Sequence, residues 1–403
     1  MGYINKVERN DADPNSYDLF SPKFTSNPHA YYDSVRGVCP VTHSEMYGGS
    51  SMVTSYAHVY DIARDAARFS SRAVEVGGPI PPNGRGLYAP PLTSDPPDHR
   101  QDRDIIQPFF MPAKIAELEP LARRTSRRLA EHLAEKGRGD IVTDFAQHLT
   151  IGVLSEILGV SVEHRVTFVD WAVRLLRQGP TDPRERAAAA AEMFDFLSKL
   201  LDDRQGSQGS DLLSYLATAE LKGTRLSRRH QLGAAFVVLV AGADTTWSAL
   251  SAALWYLGHT PEDRGRIASD STLLPTAVEE LLRFFSPVTV ARIAREDVDV
   301  QGCSIRAGER VLLPTAAANR DPTVFPGPNR VDLTRRRNRH VAFGTGVHRC
   351  LGASLARMEL AVAIEEWLAA MPDYHVTGDA TRWTGGAVRG PESVPFQVGT
   401  PEP

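Results

Sequence analysis

The chain has 403 residues, a net charge of −4, 42% hydrophobic residues and 23% charged residues. Those values fit a soluble globular protein with a large core and imply no general attraction to nucleic acid. Cys39, Cys303 and Cys350 are odd in number, far apart in the chain and without a C-x-x-C pair, which argues against a disulfide framework or a zinc site and fits a reducing compartment.

In chain order, the first nine residues show neither the apolar core of a signal peptide nor a membrane anchor. Asn5-Lys6 lacks the Ser or Thr that a myristoylation motif starting at Gly2 would need. Turn formers dominate the first ninety or so residues, and Pro90, Pro91, Pro96 and Pro97 mark an irregular stretch over 80–98. From Arg100 the apolar spacing becomes helical, through Ile105, Ile106, Phe109, Phe110, Leu118, Leu121, Leu129 and Leu133. Residues 145–158, 168–176 and the alanine-rich 186–201 continue it, and 205–210 reads as a flexible connector. Ser227 is placed to cap a very long helix over 228–257, which stops at Gly258-His259-Thr260-Pro261. Its longest apolar run, 232–243, is too short to span a bilayer and ends at Asp244. Pro275 opens another helix that ends before Ser286-Pro287, and Val298, Val300, Ile305, Val311 and Leu313 read as short strands. No repeat or clean linker divides the chain, so the reading is one large, mainly α domain with minor β, a soluble cytoplasmic protein.

Three motifs carry chemistry. The middle of the long helix reads Ala241-Gly242-Ala243-Asp244-Thr245-Thr246. An acid in apolar surroundings is costly unless paired. By itself the motif is explained by a helix kink, with the Thr245 hydroxyl bonded to a carbonyl one turn back. Next, Glu280 and Arg283 lie three apart on one helical face among Leu281, Leu282 and Phe284. Exposed, such a pair contributes under about 1 kcal/mol; buried, it needs further partners. Last comes Phe343-Gly344-Thr345-Gly346-Val347-His348-Arg349-Cys350-Leu351-Gly352, a cysteine presented by a glycine-rich loop ahead of a helix over 353–368. Gly344, Gly346 and Gly352 let the backbone approach a flat ligand closely and adopt positive φ where needed. The helix amides point back at the sulfur and favour a thiolate, and the Phe343 ring is placed to shield it. A lone cysteine near glycines is ordinarily structural, but the pattern Phe-Gly-x-Gly-x-His-x-Cys-x-Gly fixes six positions in ten.

This segment resembles the cysteine-ligand loop of the cytochrome P450 haem-thiolate monooxygenases, and the resemblance extends over about 18–398, densest over 239–360. It implies the cytochrome P450 fold of the soluble bacterial type, one domain over 1–403, with the long central helix over haem b. Cys350 is the implied iron ligand, with Phe343, Gly344, His348 and Gly352 in its loop. His99, Arg103, Arg292 and His348 match positions that hold the haem propionates. Asp244 and Thr245 match the catalytic acid–alcohol pair that delivers protons during O2 activation. Glu280 and Arg283 match a structural Glu-x-x-Arg motif whose third member, an arginine shortly before the loop, corresponds to Arg330. Residues 77–87, the helix around Leu175, and 240–243, 288–291 and 386–388 match the lining of the substrate pocket.

The implied activity is oxidation of a small-to-medium hydrophobic organic substrate of secondary metabolism. O2 is the co-substrate, and Arg174, Arg177 or Arg389 could hold an acidic group. The chain has no Gly-rich phosphate loop between a strand and a helix, so electrons from NAD(P)H must arrive through a separate ferredoxin reductase and ferredoxin. The basic runs Arg335-Arg336-Arg337 with Arg339, and Arg123, Arg124, Arg127 and Arg128, are candidate docking patches for an acidic ferredoxin. No nucleic-acid or membrane partner is expected, and a monomer is the default. The competing readings are an H2O2-dependent peroxygenase, and a non-catalytic haem protein that recruits a partner.

Overall fold

The computed structural model describes residues 17–80, 86–206, 209–378 and 381–399. The N-terminal nine residues, pocket positions 81–85 and residues 207–208 of the connector lie outside these. The long helix spans Arg228–His259, and the Ser227 side chain accepts from the His230 amide at its start. It is apolar all round because it has almost no solvent face: Trp247, Leu250, Ala253, Leu254 and Leu257 are fully buried. Helices Gln147–Leu158, Pro183–Asp203, Leu274–Phe284 and Ala353–Ala370 pack around it. Its last turn is satisfied by a side chain, since Arg264 donates to the carbonyls of both Leu257 and Tyr374. The helical stretches Ile141–Leu158 and Arg228–His259 are long and apolar enough to cross a membrane, and both are mostly buried within the fold.

The helical spacing after Arg100 resolves into Asp98–Ile106 and Pro112–Lys136, separated where Pro108 cannot continue the hydrogen-bond ladder. The largest sheet orders strands Val41–Ser44, Ser50–Val53, Arg310–Pro314, Thr289–Ala294 and Phe69–Ser70. Thr289–Ala294 runs antiparallel to Arg310–Pro314, with Arg292 opposite Val311 and Ala291 opposite Leu312. The two strands are joined through a hairpin, Val298–Val300 with Cys303–Ile305, that turns at left-handed Gln301 and Gly302 (φ 52° and 84°). A second sheet of Tyr374–Val376, Pro395–Val398 and Arg138–Asp140 holds the C-terminal segment. Its Tyr374 and Phe396 rings pack on Trp367 of the Ala353–Ala370 helix, with centroids 5.4 and 4.9 Å away. One feature departs from the sequence reading of scattered cysteines: the sulfurs of Cys39 and Cys303 lie 2.8 Å apart.

Candidate active site

The loop before the Ala353–Ala370 helix is shaped by two glycines. Gly344 (φ 66°) and Gly346 (φ 72°) are left-handed, and a Cβ on Gly346 would come within 2.9 Å of the Ala63 carbonyl oxygen. Gly352 needs no such backbone; it caps the following helix at φ −80°, and a Cβ there would stand 4.0 Å from the Cys350 sulfur. The Cys350 amide donates to the Phe343 carbonyl at 2.8 Å, closing the loop. Burial pushes the Cys350 thiol up, opposed by the Gly352 amide and by Arg103, Arg349 and Arg357. The residue is nevertheless exposed. The two facts agree if its open face looks onto an internal space rather than bulk water. The Phe343 ring lies 4.4 Å from the Arg357 guanidinium, which Glu279 holds at 2.5 and 2.9 Å.

Beneath the loop is a closed ionic cluster. Glu280 and Arg283 are fully buried and joined by bonds of 2.7 and 2.8 Å. Arg283 spends its remaining donors on the carbonyls of Asn319, Pro328 and Arg330, each at 2.9 Å. The expected third guanidinium is not that of Arg330, which is exposed and contributes its carbonyl. It is that of Arg335, whose Nε donates to Glu280 at 3.0 Å. The reason is local: the Asp332 amide also donates to Glu280, so the chain turns there and brings Arg335 inward. Asn338 completes the carboxylate at 3.1 Å. The Asn319 side chain accepts from the Val341 amide at 2.7 Å, and the Val341 carbonyl accepts from Gly344. The pair is thereby tied to the start of the cysteine loop.

The basic residues form an open cluster. The His99 and His348 rings meet edge to face with centroids 4.3 Å apart, and Nε2 of each is buried with no hydrogen-bond partner. Arg103 donates to the Val347 carbonyl at 3.4 Å, and Arg292 to the Ala291 carbonyl at 2.8 Å. Among the described residues no salt bridge reaches any of the four. Burial, then Arg292, His99 and Arg103, push the His348 imidazole down to about 2, and burial pushes Arg292 down to about 10. Four converging donors beside an accessible cysteine, with two orphaned imidazole nitrogens, fit a ligand carrying two carboxylates next to its metal. The residues present therefore fit a haem, with Cys350 on iron and this cluster on the propionates.

On the central helix the acid and the alcohol point to different partners. The Thr245 hydroxyl donates to the Ala241 carbonyl one turn back at 2.8 Å. Ala241 is exposed and Thr245 half-buried in a helix otherwise enclosed. Gly242 has a packing reason, since a Cβ would meet Leu154 at 3.0 Å. Asp244 is wholly buried and bound to Arg177 (2.5 Å) and to Ser248 (3.1 Å). Arg177 belongs to a wide helical turn, Arg174–Gln178, and also donates to Ser248. The structure thus does not join the Asp244 carboxylate to the Thr245 hydroxyl. Sequence reading named Arg177 only as a possible anchor for an acidic ligand, because its partner is 67 positions away.

Of the pocket segments, 288 and 388 pair across an isolated bridge, and Val240, Val288, Val290 and Ala387 are half-buried and apolar. Arg174 is occupied by Asp170, Glu185 and Glu192. Arg389 donates to the Thr25 carbonyl and stacks 4.2 Å from Trp383. Among the basic runs, Arg123 and Arg127 are paired with Glu366, and Arg335 is inside; Arg336, Arg337 and Arg339 stay exposed.

Comparison with known proteins points to one family. The cytochrome P450 family model matches residues 175–370. The vitamin D(3) 25-hydroxylase of Pseudonocardia autotrophica is 36% identical over 366 residues, 89% of each chain. The cytochrome P450 monooxygenase PikC of Streptomyces venezuelae is 33% identical across 93% of this chain and 92% of its own. The bacillaene polyketide synthase cytochrome P450 PksS of Bacillus subtilis 168 superposes with a TM-score of 0.86 at 29% identity, over 95% of this chain and 100% of its own.

Proposed function

This chain belongs to the cytochrome P450 family and is an oxidoreductase of its monooxygenase class; we propose that it acts as one haem-thiolate domain over 1–403. In this reading it oxidises a small-to-medium hydrophobic organic substrate in the cytoplasm, with NAD(P)H electrons delivered by a separate ferredoxin reductase and ferredoxin. The observation that carries the reading is Cys350, accessible on a glycine-shaped loop beside four converging donors that no salt bridge reaches among the described residues.

Cys350 would hold the iron of haem b, and His99, Arg103, Arg292 and His348 its propionates. When bound, the haem supplies reductive activation of O2 and transfer of one oxygen atom to the substrate. The polypeptide supplies the proton path and the orientation. Thr245 sits where the central helix becomes accessible, and its hydroxyl proton is parked on the Ala241 carbonyl. Rotation about its side chain would free that proton for transfer into the space beside the helix. Asp244 must leave Arg177 or Ser248 before it can pass a proton onward, so Arg177 sets when the relay is open. A neutral substrate is supported by the arginines near the pocket: Arg174 and Arg177 are already ion-paired, and Arg389 is engaged by a carbonyl and a ring. The exposed Arg336, Arg337 and Arg339 are the favoured ferredoxin contact.

The engaged state of Asp244 also favours a second reading, a peroxygenase driven by H2O2. Turnover assays with the unmodified chain and Thr245→Ala separate the two. The monooxygenase reading expects product per electron to fall about tenfold or more, with electrons diverted to free peroxide and the haem spectrum unchanged. Turnover of the unmodified chain on peroxide and none on ferredoxin and reductase would replace it with the peroxygenase reading, and unchanged product per electron in Thr245→Ala would remove the hydroxyl from the relay.

A further inference from the structure

We propose that Cys39 and Cys303 form a reversible disulfide that ties the first strand of the large sheet to the hairpin beside it. Cys39 lies between the helix Pro28–Arg36 and the strand Val41–Ser44. Cys303 opens the second hairpin strand, Cys303–Ile305, 264 positions later. Their sulfurs are 2.8 Å apart, well inside non-bonded contact and less than an ångström from the about 2.05 Å of a bond. The Cys39 thiol also donates to the Val41 carbonyl at 2.8 Å, which leaves sulfur lone pairs free to face Cys303. The contact with Cys39 is the first cause that pushes the Cys303 thiol up. Both residues are half-buried, so a small reagent can reach them. Val41 and Val53 of the sheet share one core with Val298, Val300 and Ile305 of the hairpin. That packing holds the two sulfurs in place before any bond forms.

The oxidant is a low-molecular-weight disulfide. One cysteine loses its proton to water, and its thiolate attacks a sulfur of the small disulfide. That S–S bond breaks and a small thiolate leaves, taking up a proton. The second cysteine, likewise deprotonated, attacks the mixed disulfide and releases the second small thiol. Two protein thiols are oxidised and one small disulfide is reduced to two thiols. Nothing in this exchange involves Cys350 or the oxygen chemistry.

The test equilibrates the full chain in glutathione buffers of rising oxidised fraction, traps remaining thiols by alkylation and maps unreduced peptides by mass. The expected result is one linked peptide pair carrying Cys39 and Cys303, reversed by dithiothreitol, with the melting temperature raised by roughly 5 °C. Cys39→Ser and Cys303→Ser should each abolish both the link and the shift. Two free thiols under fully oxidising buffer, glutathione stalled on one cysteine, or links only between molecules would overturn the proposal. The peptide map of the unmodified chain decides the matter even if a variant fails to fold.

Discussion

Around Glu280 every buried charge meets a counter-charge or a carbonyl, whereas around His348 two arginines and two imidazoles gather with no salt bridge among the described residues. Glu280, Arg283, His99 and Arg292 are buried, Arg103 and His348 are half-buried, and both groups adjoin the cysteine loop. The first is complete as folded and fixes the segment leading to Val341. The second is a net desolvation cost in the polypeptide alone, visible as imidazole and guanidinium groups pushed toward neutrality. Buried charge therefore serves two ends here, a scaffold that needs nothing more and a receptor that gains stability by binding.

The largest effect should come from breaking the closed cluster. Glu280→Ala leaves Arg283 buried and unpaired, and should cost about 3–5 kcal/mol in chemical denaturation; a loss within the scatter of surface variants would erase the distinction. Arg335→Ala should cost roughly 1.5–3 kcal/mol while Arg330→Ala, whose contribution is a backbone carbonyl, changes little; the opposite ranking would restore Arg330 as the third guanidinium. The open cluster should respond with the other sign. Arg292→Met should leave the apoprotein at least as stable while weakening haem retention about tenfold, near 1.4 kcal/mol. A destabilised apoprotein would show that Arg292 is scaffold after all.

The smallest effect concerns a buried acid in neither cluster. Glu359, on the Ala353–Ala370 helix, has an unpartnered oxygen, and burial pushes its carboxyl well above 4.5. The native state then keeps a proton that the unfolded chain releases above that value. Its contribution is fully present below about pH 4.5 and declines as pH rises toward the folded value. Glu359→Gln should flatten that decline and stabilise by roughly 1 kcal/mol near pH 8; identical pH profiles for the two proteins would contradict the assignment.

The sequence was legible where local backbone demands dictate residue type. Left-handed turns ask for Gly344 and Gly346, a helix start asks for Ser227, and the enclosed central helix asks for apolar residues on all sides. It was illegible where a long-range approach decides. Arg330 and Arg335 both precede the loop, and only the inward turn at Asp332 selects between them. Arg177 meets Asp244 because a wide helical turn swings it over the central helix. Cys39 meets Cys303 because two strands and a hairpin share a core.

The most direct measurement is the absorption spectrum of the reduced, carbon-monoxide-treated holoprotein, compared with that of Cys350→Ala. The account predicts a strongly red-shifted band in the unmodified chain that disappears in the variant while the other haem contacts remain. A variant that keeps the shifted band would show that another residue holds the iron, and the assignment of Cys350 would be wrong.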